Sequence, residues 1–196
     1  MIANTAFRSD ERFTQKQFRR WVEQRPGADI NRYELIDGRI VMTPPAGWTH
    51  SSLASTLVLL LNQHVRNRKL GRVFESSAGY DLPSGDTVEP DLTYVSAERF
   101  AATTPSTPNQ FLQVVPNLVV EILSPSTARR DRTEKKDIYA HNRVDEYWIV
   151  DPRRKSVTVF HLGDRDYDAG QQFTTSTIRS RVLPKLRIAV EKLFAL

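Results

Sequence analysis

Leu118-Val119-Val120-Glu121-Ile122-Leu123 is an apolar run with one carboxylate inside it. Six residues this apolar, three of them β-branched, read as a strand buried on both faces of a sheet. An ionised carboxylate in that setting costs several kcal/mol unless a cation, a metal ion or hydrogen-bond donors offset it. Upstream, Pro90-Asp91-Leu92-Thr93-Tyr94-Val95 is a second apolar strand that opens on an acid. Downstream, Ser124-Pro125-Ser126-Thr127 leads into a basic segment, Arg129 to Lys136, and a helix from about Arg132 to Asn142. Asp131 and Glu134 have capping-box spacing, with Asp131 as the expected N-cap. Tyr147-Trp148-Ile149-Val150 is another buried strand. After a turn at Asp151-Pro152, Val157, Val159 and His161 alternate with Thr158, Phe160 and Leu162 as a further strand. Strand, strand, helix, strand over residues 91–151 predicts an α/β (α+β) core with a mixed sheet. The strands at 118–123 and 147–151 flank one helix, as in a right-handed βαβ crossover.

The rest of the chain is built around that core. Residues 1–13 lack periodicity and are expected to be a flexible arm, leaving 14–196 as one domain. Thr14 caps a helix through about Gln24, with Phe18, Trp21 and Val22 on one face, and Pro26-Gly27 ends it. Tyr33 to Ile36, Asp37-Gly38 and Arg39 to Met42 spell a hairpin, because Asp-Gly accepts the positive φ of a type I′ turn. Leu53, Leu57, Leu60, Leu61 and Val65 recur at helical spacing over 49–68, with Gly71 as the stop. Short strands are expected at 72–75, 78–82 and 91–95, a surface loop at 101–116 and a short helix from Ile188 to Leu196.

Composition narrows the function classes. Hydrophobic residues make up 39% and charged residues 26%, enough for a core and too much for wholesale disorder. No apolar run approaches the ~18 residues of a membrane span, and the first residues lack the apolar core of a signal peptide. Without cysteine there are no disulfides or thiolate metal sites, which fits a reducing cytoplasm. A net charge of +5 permits a polyanionic partner. Arg129, Arg130, Arg132, Lys135 and Lys136 face only Asp131 and Glu134, and Arg153-Arg154-Lys155 forms a second cluster. Each cluster is either a solvated surface or a phosphate-binding one.

Two strand acids followed by a lysine-bearing helix suit metal-dependent phosphodiester cleavage. Hard carboxylate oxygens hold Mg²⁺, the ion acts on water and phosphate, and a nearby ammonium offsets developing charge. Asp91 and Glu121 supply the oxygens if their strands are neighbours. Lys135 and Lys136 reach back from the helix, with Tyr139 one turn beyond Lys135 and Asp131 one turn before it.

Several stretches together carry a resemblance: Tyr33-Glu34-Leu35-Ile36-Asp37-Gly38, Pro44-Pro45 with His50, Val88-Glu89-Pro90-Asp91-Leu92, Val119 to Thr127, Asp131 to Lys135, and Glu146 to Pro152. The chain resembles the PD-(D/E)xK nuclease superfamily and, within it, the Uma-type family of restriction-endonuclease-like proteins. The resemblance implies a restriction-endonuclease-like mixed β-sheet flanked by helices, with an N-terminal helix and β-hairpin. It implies a Mg²⁺-dependent endodeoxyribonuclease, with Mn²⁺ as an alternative ion. Asp91 becomes the aspartate of the "PD" element and Glu121 the second acid, both metal ligands with the Ile122 carbonyl. The superfamily's usual lysine position is Leu123 here; the Uma-type pattern moves the lysine to the next helix, at Lys135, with Lys136 as the fallback. Glu34 is a third acid by the same pattern, or else a solvent-facing strand residue. His50 is either an added site residue or a packed or capping one. Ser124 and Ser126 shape the strand-to-helix turn, and Asp151 is a turn residue.

Arg129, Arg130 and Arg132 are the expected phosphate contacts, which makes DNA binding fall steeply with salt. A homodimer would set two sites across a twofold axis to cut both strands, and restriction would need a further protein partner. Two alternatives stand beside the nuclease: a nuclease-fold DNA-binding module with weak or absent catalysis, suggested by Leu123, and a structural protein whose acids form internal ion pairs.

Overall fold

A computed structural model describes residues 7–103 and 111–195. The elements run β1 (Phe7–Arg8), α1 (Gln15–Glu23), β2 (Arg32–Ile36), β3 (Arg39–Thr43), α2 (Trp48–Arg68), β4 (Gly71–Glu75), β5 (Tyr80–Asp81), β6 (Thr87–Val88), β7 (Leu92–Ser96) and α3 (Ala97–Ala101). They continue with β8 (Leu118–Ile122), α4 (Ala128–Arg132), α5 (Glu134–His141), β9 (Glu146–Asp151), β10 (Ser156–His161), β11 (Gln171–Phe173), β12 (Thr177–Ile178), β13 (Ile188–Ala189) and α6 (Val190–Phe194).

The Glu121 strand, β8, lies inside a six-stranded sheet ordered β11-β10-β9-β8-β7-β4. Within it only β8 and β9 run parallel, joined through α4 and α5, so the sheet is mixed as expected. Alternate residues of β8 feed two cores, which is why the run reads as apolar throughout. Leu118, Val120 and Ile122 pack with Leu53, Leu57, Leu61 and Val65 of α2, while Val119 packs with Tyr139, Tyr147 and Ile149 on the other face. A second sheet, β1-β3-β2-β6-β5, carries the hairpin. Asp37 and Gly38 take φ of 51° and 69°, the paired positive values of a type I′ turn. Thr14 forms a capping box with Gln17 at the start of α1, and Phe18 buries against Tyr33, Leu35 and Ile40.

Several expectations need correction. The flexible arm does not reach residue 13: Phe7 and Arg8 pair with Met42 and Val41, and Arg8 reaches Glu134 at 3.0 Å. Residues 1–6 of that arm lie outside the described residues, as do 104–110 of the expected loop, which is preceded by the helix α3. Asp131 is not an N-cap. It lies buried within α4, and Glu134 is drawn to Arg8 rather than back to a cap. The tail pairs as β12 and β13 before its helix begins.

Helix α2 stops at Lys69, in the left-handed region at φ 54°, rather than at Gly71. Gly71 is needed for a different reason. A Cβ there would lie 2.1 Å from the Val95 carbonyl oxygen, with φ at +151°. Gly71→Ala is therefore expected to destabilise the protein by at least about 2 kcal/mol, read as a drop in urea midpoint. An unchanged midpoint would mean that β4 shifts freely against β7.

Candidate active site

Asp91 stands one residue before β7. Continuing the register that pairs Leu92 with Val120 sets it opposite Glu121. It is buried, and both its oxygens are engaged. Oδ1 accepts from Arg32 Nη1 at 2.8 Å, and Oδ2 accepts from the Ile122 N–H at 2.8 Å and meets His50 Nε2 at 2.9 Å. Burial alone would raise the Asp91 pKa. The contacts with His50, Arg32 and the Ile122 N–H outweigh it and hold the carboxyl at about 2, so it is ionised.

Glu121 projects to the α5 side. Its Oε1 accepts from Lys135 Nζ at 2.6 Å and from the Tyr139 hydroxyl at 2.6 Å. Lys135 Nζ also lies 2.8 Å from Glu34 Oε1, which accepts the Glu89 N–H at 2.9 Å. Arg130 Nη2 reaches Glu34 Oε2 at 3.5 Å and donates to Thr43 Oγ1 at 2.7 Å. Lys135 is only 2% exposed, so this ammonium is held by two buried carboxylates and not by water. Burial would strip its proton; Glu121, Glu34 and Asp131 reverse that and raise its pKa, so it stays charged. Burial pushes Glu34 up, but Lys135 and Arg130 bring it below its ordinary value. Glu121 is pushed to about 8 by burial and by the negative charges of Asp131, Asp91 and Glu34, which together exceed the pull of Lys135. Glu89 also sits at about 8, raised by burial and by Glu34.

That raised pKa has a consequence for stability. The folded protein keeps a proton on Glu121 that the unfolded chain releases above its ordinary value of 4.5. Stability from this group is full below 4.5 and is lost as pH rises through about 8. Glu121→Gln is expected to flatten the decline across that window in metal-free protein, measured as urea midpoints against pH. Identical slopes for the two proteins would mean that Glu121 is ionised throughout.

Local structure explains how a lysine thirteen positions beyond the end of β8 returns to it. Thr133, at φ −124° and ψ −92°, breaks the helical segment into α4 and α5. After the break, Lys135 and Tyr139 stand one turn apart on the buried face of α5, above Glu121. Leu123, at the superfamily's usual lysine position, packs into the apolar cluster beneath instead.

The structure thus brings together Asp91, Glu121, Ile122, Lys135, Glu34 and His50. Glu34 is a buried partner of Lys135, not a solvent-facing strand residue. Lys136 is not a substitute for Lys135, since its ammonium lies over the Phe160 ring at 4.5 Å. Arg130 is turned inward onto Glu34 and Thr43, which removes it from the expected phosphate contacts. Arg132 pairs with Asp151 at 2.8 Å, and Arg129 is exposed. Ser124, Ser126 and Thr127 hydrogen-bond one another in the turn. Sequence reasoning missed Arg32, which opens β2 and reads as an ordinary strand-end cation. It also passed over Tyr139 as a site residue, although its spacing from Lys135 was the available signal.

His50 and Arg32 line a cleft of about 860 Å³ that opens onto Asp91. Among the described residues, no group of three or more His, Asp or Glu side chains is arranged to hold a metal ion. The donors present are two carboxylates. That suits Mg²⁺, which keeps several waters and takes one or two carboxylates, better than an ion that needs an all-protein cage. A cation held by Asp91 would have to share its oxygens with Arg32, His50 and the Ile122 N–H, whereas Glu121 Oε2 has no hydrogen bond among the described residues.

Comparison with known proteins agrees with this architecture. Uncharacterized protein slr1290 from Synechocystis sp. is 26% identical over 172 residues, covering 84% of this chain and 82% of that protein. The crystal structure of an Anabaena variabilis protein, described as a "putative nuclease belonging to DUF820", matches with a TM-score of 0.76. It covers 93% of this chain and 98% of its own at 19% identity, a likeness of fold. Among the described residues, no helix is long and apolar enough to cross a membrane. Residues 16–191 match the family Uma2, described as "Putative restriction endonuclease", and the chain belongs to that family.

Proposed function

We propose that this protein is a Mg²⁺- or Mn²⁺-dependent endodeoxyribonuclease whose site is Asp91, Glu121 and Lys135. The observation that carries the proposal is the convergence of two buried strand carboxylates with a buried ammonium 2.6 Å from one of them. Asp91 and Glu121, with the Ile122 carbonyl, are the groups that would hold the ion. When bound, the ion supplies positive charge beside the scissile phosphate and acidifies water. The protein's own groups prepare that arrangement. Arg32 and His50 keep Asp91 ionised, Tyr139 fixes Glu121 by its hydroxyl, and Glu34 holds Lys135 against Glu121. Lys135 lends the phosphate a fixed positive charge in a water-poor setting, where it acts more strongly than in solvent.

A second reading is a nuclease-fold DNA-binding module with weak or absent cleavage. One observation favours it: Lys135 and both Asp91 oxygens are already satisfied by protein groups. Incubation with supercoiled, linear and single-stranded DNA in Mg²⁺, Mn²⁺ or chelator separates the readings. Cleavage that requires the ion supports the nuclease. Ion binding without cleavage on any substrate supports the module. Neither binding nor cleavage leaves the acids as structural ion pairs.

A further inference from the structure

Trp48, the first residue of α2, is 78% exposed. The chain's other tryptophans are used in the fold: Trp148 is fully buried and Trp21 packs edge-on to Tyr33 at 4.9 Å. An indole left in water contributes little burial to stability, and what sets Trp48 apart is the cleft it borders. Trp48 lies on the wall of a cleft of about 810 Å³, beside the apolar surfaces of Leu123, Pro125 and Pro152. Arg153 and Arg154 line the same cleft and are exposed. The nearby carboxylate, Asp151, is consumed by Arg132 at 2.8 Å and by the backbone N–H groups of Arg153 and Arg154. Among the described residues, neither the Arg153 nor the Arg154 guanidinium has a carboxylate partner. His50 lines this cleft too and touches Asp91 at 2.9 Å, so the cleft adjoins the acidic pair.

We infer that this cleft is a slot for an unpaired nucleotide, with Trp48 stacking on the base and Arg153 and Arg154 holding flanking phosphates. The substrate of the proposed nuclease is then DNA with a single-stranded or locally opened segment. The assignment of a DNA substrate rests on the nuclease reading; the slot itself rests on its own geometry. A base inside a duplex has both faces covered by its neighbours and cannot stack on a side chain, whereas an unpaired or extruded base can. An exposed aromatic ring flanked by free guanidinium groups is the pairing that single-strand binders use. The charge argues against an apolar peptide as occupant, since two unpaired arginines border the apolar wall.

Binding is measured in chelator, so that cleavage does not intervene, using oligothymidylate and a duplex of equal length. Tryptophan fluorescence provides the readout. The single strand is expected to bind more tightly and to quench the emission. Trp48→Ala is expected to lose the quench and about tenfold or more in single-strand affinity, with part of that affinity restored in Trp48→Phe. Arg153→Ala combined with Arg154→Ala should reduce the single-strand salt slope by about 1.4. Equal affinity for both DNAs, unaffected by Trp48→Ala, overturns the slot. So does cleavage of fully paired duplex at the same rate by wild type and Trp48→Ala, and that result leaves the nuclease reading intact. Quenching and single-strand preference with no cleavage in any metal would sustain the slot and count against the nuclease.

Discussion

Asp91→Asn is expected to slow metal-dependent DNA cleavage by about 10³-fold, the loss that follows when several kcal/mol of metal and phosphate stabilisation disappear. Asparagine keeps the volume of the side chain and one oxygen that can accept from Arg32 or the Ile122 N–H. What it removes is the charge that a hard divalent ion requires. Some stability goes with it. The Asp91 pKa of about 2 lies below its ordinary 3.8, so its stabilisation is present above 3.8 and is lost as pH falls through 2. The corresponding loss in Asp91→Asn is of order 2 kcal/mol at neutral pH. A loss of that size lowers a midpoint without emptying the folded state, so the rate effect is separable from unfolding. Cleavage assays alongside thermal unfolding of the same preparation make the comparison. A variant that keeps more than half the wild-type rate would remove Asp91 from the chemistry.

Lys135→Met is expected to produce the largest loss of stability, about 3–5 kcal/mol, because it leaves the buried Glu34 carboxylate without its closest cation and Glu121 without the contact that draws its pKa down. Methionine fills the space of the lysine stem, so a cavity contributes little. The deficit has a pH signature. Without the ammonium both carboxyls lose the cation that opposes the effect of burial, and their protonated forms are tolerated in the interior. The difference from wild type should therefore shrink as pH falls toward about 4.5 and be largest at neutral and alkaline pH. Adding Glu121→Gln to Lys135→Met should recover part of the loss, a coupling that a double-mutant cycle reads directly. A Lys135→Met protein within about 1 kcal/mol of wild type would mean that the two acids find water or another cation.

Much of this site was legible because strands alternate faces. A carboxylate inside Leu118–Leu123 cannot escape burial whichever face it takes, so Glu121 announced itself. Asp91 showed by the same logic, at the mouth of the neighbouring strand. The Asp37-Gly38 turn was legible because few residue pairs accept two successive positive φ values. The break at Thr133 was not, since neither glycine nor proline marks it and Lys135 and Tyr139, which follow it, find their partners far away in sequence. That break is also why Asp131 looked like a cap. Arg32 was invisible because its partner is distant in sequence and a cation at a strand end ordinarily points to solvent. The two-residue pairings β5, β6, β12 and β13 are too short to carry a period. The placement of Lys135 came from the family pattern, and the geometry then gave the physical reason that a helix can supply the ammonium.

The clamp of Glu34 and Glu121 around Lys135 also sets a schedule for the nascent chain. The β2–β3 hairpin is a local pairing that carries Glu34 and is synthesised early. The Glu121 strand, by contrast, lies between β7 and β9, and β9 is in turn backed by β10. Until those later strands emerge, β8 has an unpaired edge and Lys135 has no settled helix to ride on. Translation proceeds from the N-terminus, so the two acids and the ammonium meet only when most of the chain has been made. A ribosome-bound fragment ending before β9 carries Glu34, Asp91 and Glu121 but not the assembled centre, so any activity of this site would wait until most of the chain is made.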